Sequence, residues 1–309
     1  MRSIIENKII TILGGSGFIG RHIVQNLAKQ NALIKIGCRD INQAMHLLPL
    51  GTVGQIKLFT TNVRNEESLR ALIKGSDYVI NLVGIFHEIG KQKFDSIHHQ
   101  AAIKIAQICQ EENVQTLIHF SALGAHLNAS SHYAKTKAEG ENRVQNIFPK
   151  TVIFRPSLVF GAEDNFFNRF AAIALLYPFL PLVYRGQTQF QPVFVNDIAR
   201  AVEVVISQNI QGQILELGGS TVYTFKQLME IMLKTINRSC ALIPMPNFIA
   251  YTVGSIAQYL PNPILTIDQM RLLKMNNILT NTKPGLNDLG ISPKSLEAII
   301  PTYLRRFHS

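Results

Sequence analysis

The chain has 309 residues, 47% of them apolar, enough for one large domain or two unequal ones with a full core. Its three cysteines, Cys38, Cys109 and Cys240, lie far apart with no C-x-x-C, which excludes a disulfide framework and reads as buried thiols in a reducing compartment. The formal net charge is +10, but Arg305-Arg306 is the only adjacent basic pair and there is no Trp, so nucleic acid is the least favoured anionic partner.

From the N-terminus, "KIITIL" reads as a strand, and "FIGRHIVQNLAKQ" as a helix with Ile19, Ile23, Val24 and Leu27 on one face. No signal peptide is read here, because Glu6 and Lys8 break the first apolar run. Further strands are expected at "ALIKIGC", "QIKLFT" and "DYVINLV". A long helix follows in "FDSIHHQAAIKIAQICQEEN", then a strand in "VQTLIHFS", a helix in "SSHYAKTKAEGENRVQN" and a strand in "KTVIFRP". His98-His99 and His87 lack metal-ligand spacing, and neighbours on a helix point apart, so no metal site is expected.

This alternation predicts an α/β chain with a Rossmann-type, doubly wound parallel sheet over residues 1–160. Residues 161–309 are expected to form a smaller, mainly helical C-terminal subdomain with one or two short strands, completing a cleft. Here "FQPVFVNDIARAVEVVIS" reads as a short strand entering a helix, "QILELGG" as a strand and "TFKQLMEIMLKTIN" as a helix. The stretch from Ser239 to Ile267 is uncharged but interrupted by four prolines. Its longest piece between them, "NFIAYTVGSIAQYL", is well short of the ~20 apolar residues that span a bilayer. It is read as core of the C-terminal part, with a docking or interfacial face as the alternative.

Gly14, Gly17 and Gly20 stand where the first strand meets the first helix. Such a turn needs a tight bend, backbone close to a pyrophosphate and a helix packed close to its strand, and each is met by a missing Cβ. The free N–H groups at the helix start then face the anion. At the end of the second strand the sequence reads Cys38-Arg39-Asp40. A guanidinium there matches an adenosine 2′-phosphate in a bidentate way, which favours NADP(H). Asp40 keeps NAD(H) as the alternative.

Tyr133 and Lys137 lie four residues apart on one face of a helix. An ammonium beside a phenol is expected to lower its pKa and to suit it to proton donation. Ser121, at the end of the preceding strand, is the third candidate, either a substrate anchor or a hydroxyl bonded to local backbone.

Taken in order, "GGSGFIG", "INLVG", "FSALGA" and Tyr133-x-x-x-Lys137 resemble the short-chain dehydrogenase/reductase superfamily. "FRPSLVFGAEDNFFNRF" and "QPVFVNDIARAV" narrow the likeness to its extended, atypical branch of epimerases and dehydratases. Through "RLLKMNNIL" the chain is similar to the NAD(P)H-binding accessory subunits of respiratory complex I of the alpha-subcomplex subunit 9 type, and to their bacterial relatives. The resemblance implies that Gly14, Gly17, Phe18, Ile19 and Gly20 line the pyrophosphate. It places Arg39 at the 2′-phosphate, Asn62 and Val63 beside the adenine, Val83 and Gly84 at the adjacent ribose, and Tyr133 and Lys137 at the nicotinamide ribose. Departures are Leu13 where many members have Thr, Asn62 in place of Asp, and His99 where classical members often have Asn.

Two functions follow as expectations. In the first, the chain is an accessory or assembly subunit of complex I (NADH:ubiquinone oxidoreductase) with a structural nucleotide and a peripheral membrane contact. It would lie on the cytoplasmic face of a bacterial inner membrane or on the mitochondrial matrix side. In the second, it is an NADPH-dependent reductase, epimerase or dehydratase, linked to ubiquinone biosynthesis, with Tyr133 as acid/base, Lys137 as its tuner and Ser121 as anchor.

Overall fold

A computed structural model of the chain describes residues 4–258, 263 and 265–308. Part of the uncharged stretch, residues 259–262 and 264, lies outside the described residues.

Seven parallel strands form the central sheet: β1 (Ile9–Leu13), β2 (Leu33–Cys38), β3 (Ile56–Thr60), β4 (Tyr78–Asn81), β5 (Thr116–Phe120), β6 (Val152–Pro156) and β7 (Ile214–Leu217). Their spatial order is β7-β6-β5-β4-β1-β2-β3. Both faces are covered, so alternate residues of one strand enter different cores. On β4, Tyr78 and Ile80 join the first core and Val79 the second. The first is closed by α1 (Phe18–Lys29) and α6 (Val195–Ser207). The second is closed by α2 (Glu66–Ile73), α3 (Ala101–Glu111) and α4 (His132–Ile147). The order reverses at β1, whose neighbours are β2 and β4, and a crevice opens at the carboxyl ends of β1 and β4.

A third core belongs to the C-terminal part and is built by α5 (Phe167–Leu176), α7 (Phe225–Thr235) and α10 (Leu296–Leu304). The division expected at residue 160 is not a contiguous one. After that point α6 returns to the first core, and β7 pairs with β6 as an edge strand of the main sheet. Leu286, Leu289 and Ile291 also pack into the first core.

Two expected elements differ. The single helix expected from Phe94 begins instead with a wide π-type turn, Asp95–Gln100, before α3. That turn swings the His98 carbonyl against α4, so close at Gly140 that a side chain there would collide with it. The uncharged stretch also departs from the core role expected of it. Its helix α8 (Asn247–Ala257) turns its small residues inward and its large ones to solvent.

Candidate functional site

The glycine turn closes the carboxyl end of β1. Gly14 has φ +82°, a conformation that favours glycine, and Gly17 N–H donates to the Gly14 carbonyl at 3.1 Å. A Cβ on Gly20 would lie 2.6 Å from three backbone atoms of Gly14 and Gly15. Gly17 is the N-cap of α1, with no side chain capping the helix and no acid in its first turn. The N–H groups of Phe18, Ile19 and Gly20 are therefore left for an anion, and the helix dipole favours one. This cradle fits a dinucleotide pyrophosphate.

Beside it, Ser16, Cys38, Arg39, Asp40 and Gln43 line a cleft of about 260 Å³. Arg39 enters no ion pair among the described residues, and Asp40 is engaged with the Asn42 N–H at 2.9 Å. The cleft thus presents one exposed guanidinium next to a hydroxyl and an amide. Ser16 and Gln43 were not singled out in the sequence, although Ser16 lies inside the glycine turn.

The structure brings the ends of β4 and α4 together. A Cβ on Gly14 would start 3.4 Å from Leu82, and one on Gly84 would start 3.3 Å from Lys137 Nζ. Val83 N–H donates to the Asn81 carboxamide. Asn62 lies past the end of β3, where its Oδ1 accepts from Arg64 N–H and folds its own turn. Val63, next to it, packs on the second core.

Tyr133, Lys137 and Ser121 are all buried here, with consequences not legible from spacing. Lys137 Nζ donates to the Phe120 carbonyl at 2.9 Å, and burial pulls its pKa down to about 8 against the opposing pull of Glu141. The Tyr133 hydroxyl is pushed up by burial rather than lowered as expected. Its ring is 7% exposed and lies under Phe86, stacked at 5.4 Å and 13°. Phe94 and His98 meet it edge-on at 5.9 and 5.2 Å. Ser121 Oγ is buried with no hydrogen-bond partner.

Beneath them sit two buried histidines. His98 Nε2 accepts from Ile85 N–H at 3.1 Å, and its Nδ1 lies 3.2 Å from Thr136 Oγ1. His119 Nδ1 pairs with the Asn81 amide at 3.1 Å, while its Nε2 is unpartnered. Burial, then the Lys137 charge, depresses His98 to about 2 and His119 to about 3. Both are neutral in the fold and take up protons below their ordinary pKa only when the chain unfolds. Stability is therefore present above pH 6.5 and lost as pH falls. With both titrating, the expected slope of unfolding free energy is about 2.7 kcal/mol per pH unit near pH 5 from this pair. Urea titrations of the wild type and His119→Gln across pH 7 to about 4 should show the pair's slope halved in the variant; equal slopes would contradict the assignment.

The α4 N-terminus is capped from far away. Ser131 Oγ and the N–H groups of His132 and Tyr133 all donate to Asp268, at 2.7 to 3.0 Å. Asp268 sits in the first turn of α9 (Ile267–Leu272), so the C-terminal part holds the helix that carries Tyr133 and Lys137. Nothing in the sequence pattern marks this contact.

A glycine turn at a switch point, a polar cleft beside it and a helix carrying Tyr133 and Lys137 define a nucleotide-binding protein of the short-chain dehydrogenase/reductase class. The chain belongs to the NAD dependent epimerase/dehydratase family, whose model matches residues 10–218. It binds a nicotinamide dinucleotide. Among curated relatives, it is 31% identical over 99% of its length to mouse "NADH dehydrogenase [ubiquinone] 1 alpha subcomplex subunit 9, mitochondrial", covering 82% of that protein. The protein of the same name from Arabidopsis thaliana is 30% identical, with coverages of 99% and 79%. Among solved structures, the Thermus thermophilus UDP-glucose 4-epimerase in complex with NAD has the same fold, with a TM-score of 0.71 at 17% identity and coverages of 97% and 98%.

Proposed function

We propose that the chain holds NADP(H) as a fixed, structural group and serves as an accessory or assembly subunit of respiratory complex I, peripheral to the membrane. The observation that carries the structural role is the closure around Tyr133. Phe86 covers one ring face, Phe94 and His98 flank the edge, and the C-terminal part holds the helix through Asp268. The Tyr133 ring is thus packed among side chains of its own chain rather than lining an open cleft. Support for a complex I partner comes from the near full-length likeness to subunit 9 proteins.

The Arg39 guanidinium supports the phosphorylated nucleotide. Arg39→Ala should weaken NADPH binding by roughly 10- to 100-fold, the loss of one or two charge-assisted hydrogen bonds, and leave NADH binding nearly unchanged. Calorimetric titration with both nucleotides reads this directly; equal losses would argue for NAD(H).

One observation favours the enzymatic reading. Ser121 Oγ is buried and unpaired just past the end of β5, close before the Tyr-Lys helix, where Phe86 is 67% exposed. The two readings separate on native isolation in mild detergent. Co-migration with complex I, carrying NADP(H) that added carbonyl substrates do not oxidise, is the expected result. A free chain that exchanges and turns over NADPH would overturn it, with Tyr133→Phe as the catalytic control.

A further inference from the structure

We propose that α8 and the strand pair preceding it seat directly on a bilayer containing anionic phospholipid. This deepens the peripheral placement above but uses none of the residues that hold the nucleotide.

The helix is inside out. Ala250, Gly254 and Ala257 face the protein, while Phe248, Ile249, Val253 and Ile256 face solvent, with Phe248 73% and Ile256 69% exposed. The apolar surface continues into the chain before it. Strand Ala241–Pro244 pairs in parallel with Phe179–Leu182, and the register puts Phe179 and Ile243 on the outward side while Leu180 and Leu182 enter the core. Leu176 and Tyr177, just before that strand, are exposed as well.

Cations predominate around this face. Arg185 lines a cleft of about 570 Å³ with Pro244, Met245, Pro246 and Asn247, at the start of α8. Arg238 reaches the carbonyls of Ala174 and Leu175, and Arg169 the carbonyl of Pro263. The Lys274 ammonium lies over the Tyr251 ring of α8 at 5.6 Å. None of these four cations enters an ion pair among the described residues. The one acid in residues 165–196 and 231–275 is Asp268, which is committed to the α4 N-terminus, and Glu230, just outside them on α7, pairs with Lys226 at 3.7 Å.

Arg185 is also held in place. It and Tyr184 both have left-handed backbone, φ 56° and 48°, a conformation that side chains disfavour. Tyr184 Oη anchors the pair through Tyr251 Oη and the Met270 carbonyl, each at 3.2 Å. Aliphatic and phenyl groups bordered by unpaired cations match acyl chains bordered by phosphates. A protein partner would have to bring a ring of acids to the same cations.

The test floats the purified full chain with phosphatidylcholine vesicles, with and without phosphatidylglycerol. Binding is expected with phosphatidylglycerol and should weaken with salt. Phe248→Ser/Ile256→Ser should lower the partition coefficient at least tenfold, to roughly the extent that two exposed apolar side chains contribute. Arg185→Glu/Arg238→Glu should lower it about tenfold on anionic vesicles alone. Melting temperature and bound nucleotide are read on the same samples, so a folding defect in one variant leaves the other decisive. Failure of the wild type to float, binding by both variants as tight as the wild type's, or recovery only with an acidic protein partner would overturn the proposal. Retained nucleotide and complex I co-migration in that case would leave the nucleotide-holding reading standing.

Discussion

Gly20→Ala should lose the nucleotide and part of the fold together. The new methyl would sit 2.6 Å from Gly14 O, Gly15 Cα and Gly15 O, all backbone atoms that no rotamer can move aside. Either α1 shifts away from β1 or the turn opens. Overpacking of this kind destabilises by about 1–3 kcal/mol. The N–H groups at the α1 N-terminus would leave their aim, and losing two charge-assisted bonds to a pyrophosphate weakens binding by roughly 100-fold or more. Gly17→Ala is the milder companion. Its Cβ would meet only the Gly14 carbonyl, at 3.3 Å, and its backbone is extended, so it should fold and still bind less tightly. Calorimetry with NADPH and thermal melts check both. Unchanged affinity in Gly20→Ala would mean that the glycine turn is not the pyrophosphate seat.

Glu141→Ala should cause the largest loss of stability. Arg155 Nε donates to Glu141 Oε1 at 3.0 Å, and its Nη1 lies 3.9 Å from Glu216. Both carboxylates are buried, and Glu216 also accepts from Thr280 N–H and Oγ1. The network ties α4 to β6, β7 and the chain beyond them. Removing one partner strands the others, a loss of about 3–5 kcal/mol, or a fall in Tm of roughly 5–8 °C at this size. The triple variant Glu141→Met/Arg155→Met/Glu216→Gln should recover much of this, because it removes all three buried charges together and with them their desolvation cost. Equal losses in the single and triple variants would show that packing, not charge, is what Glu141 contributes. Glu141 also raises the pKa of Lys137, one turn earlier on α4, so the single variant should push the Lys137 pKa further down.

The site was legible in the sequence wherever its parts are neighbours in the chain. The glycine turn follows from three missing side chains between a strand and a helix, and Arg39 follows from its place at the end of β2. Tyr133 and Lys137 share a face because a helix repeats every 3.6 residues. Their chemistry was not legible. The expected lowering of the Tyr133 pKa assumed that the nearby ammonium would dominate, but the phenol is buried under Phe86, and desolvation acts in the opposite direction. Burial by residues distant in sequence has no local pattern to announce it.

The same division runs through the whole molecule. By itself the sequence determined the β-α alternation, the parallel sheet, the glycine turn and the basic group beside it, since period, turn chemistry and strand ends are set by adjacent residues. Tertiary structure alone decided that α6 and β7 return to the first core and that His98 and His119 stay neutral. It also decided that Asp268 caps a helix more than 130 residues away and that the large side chains of α8 face outward. In the sequence, an apolar residue bound for a core and one bound for a partner look the same. Only the packing of the rest of the chain shows which face of α8 was left uncovered.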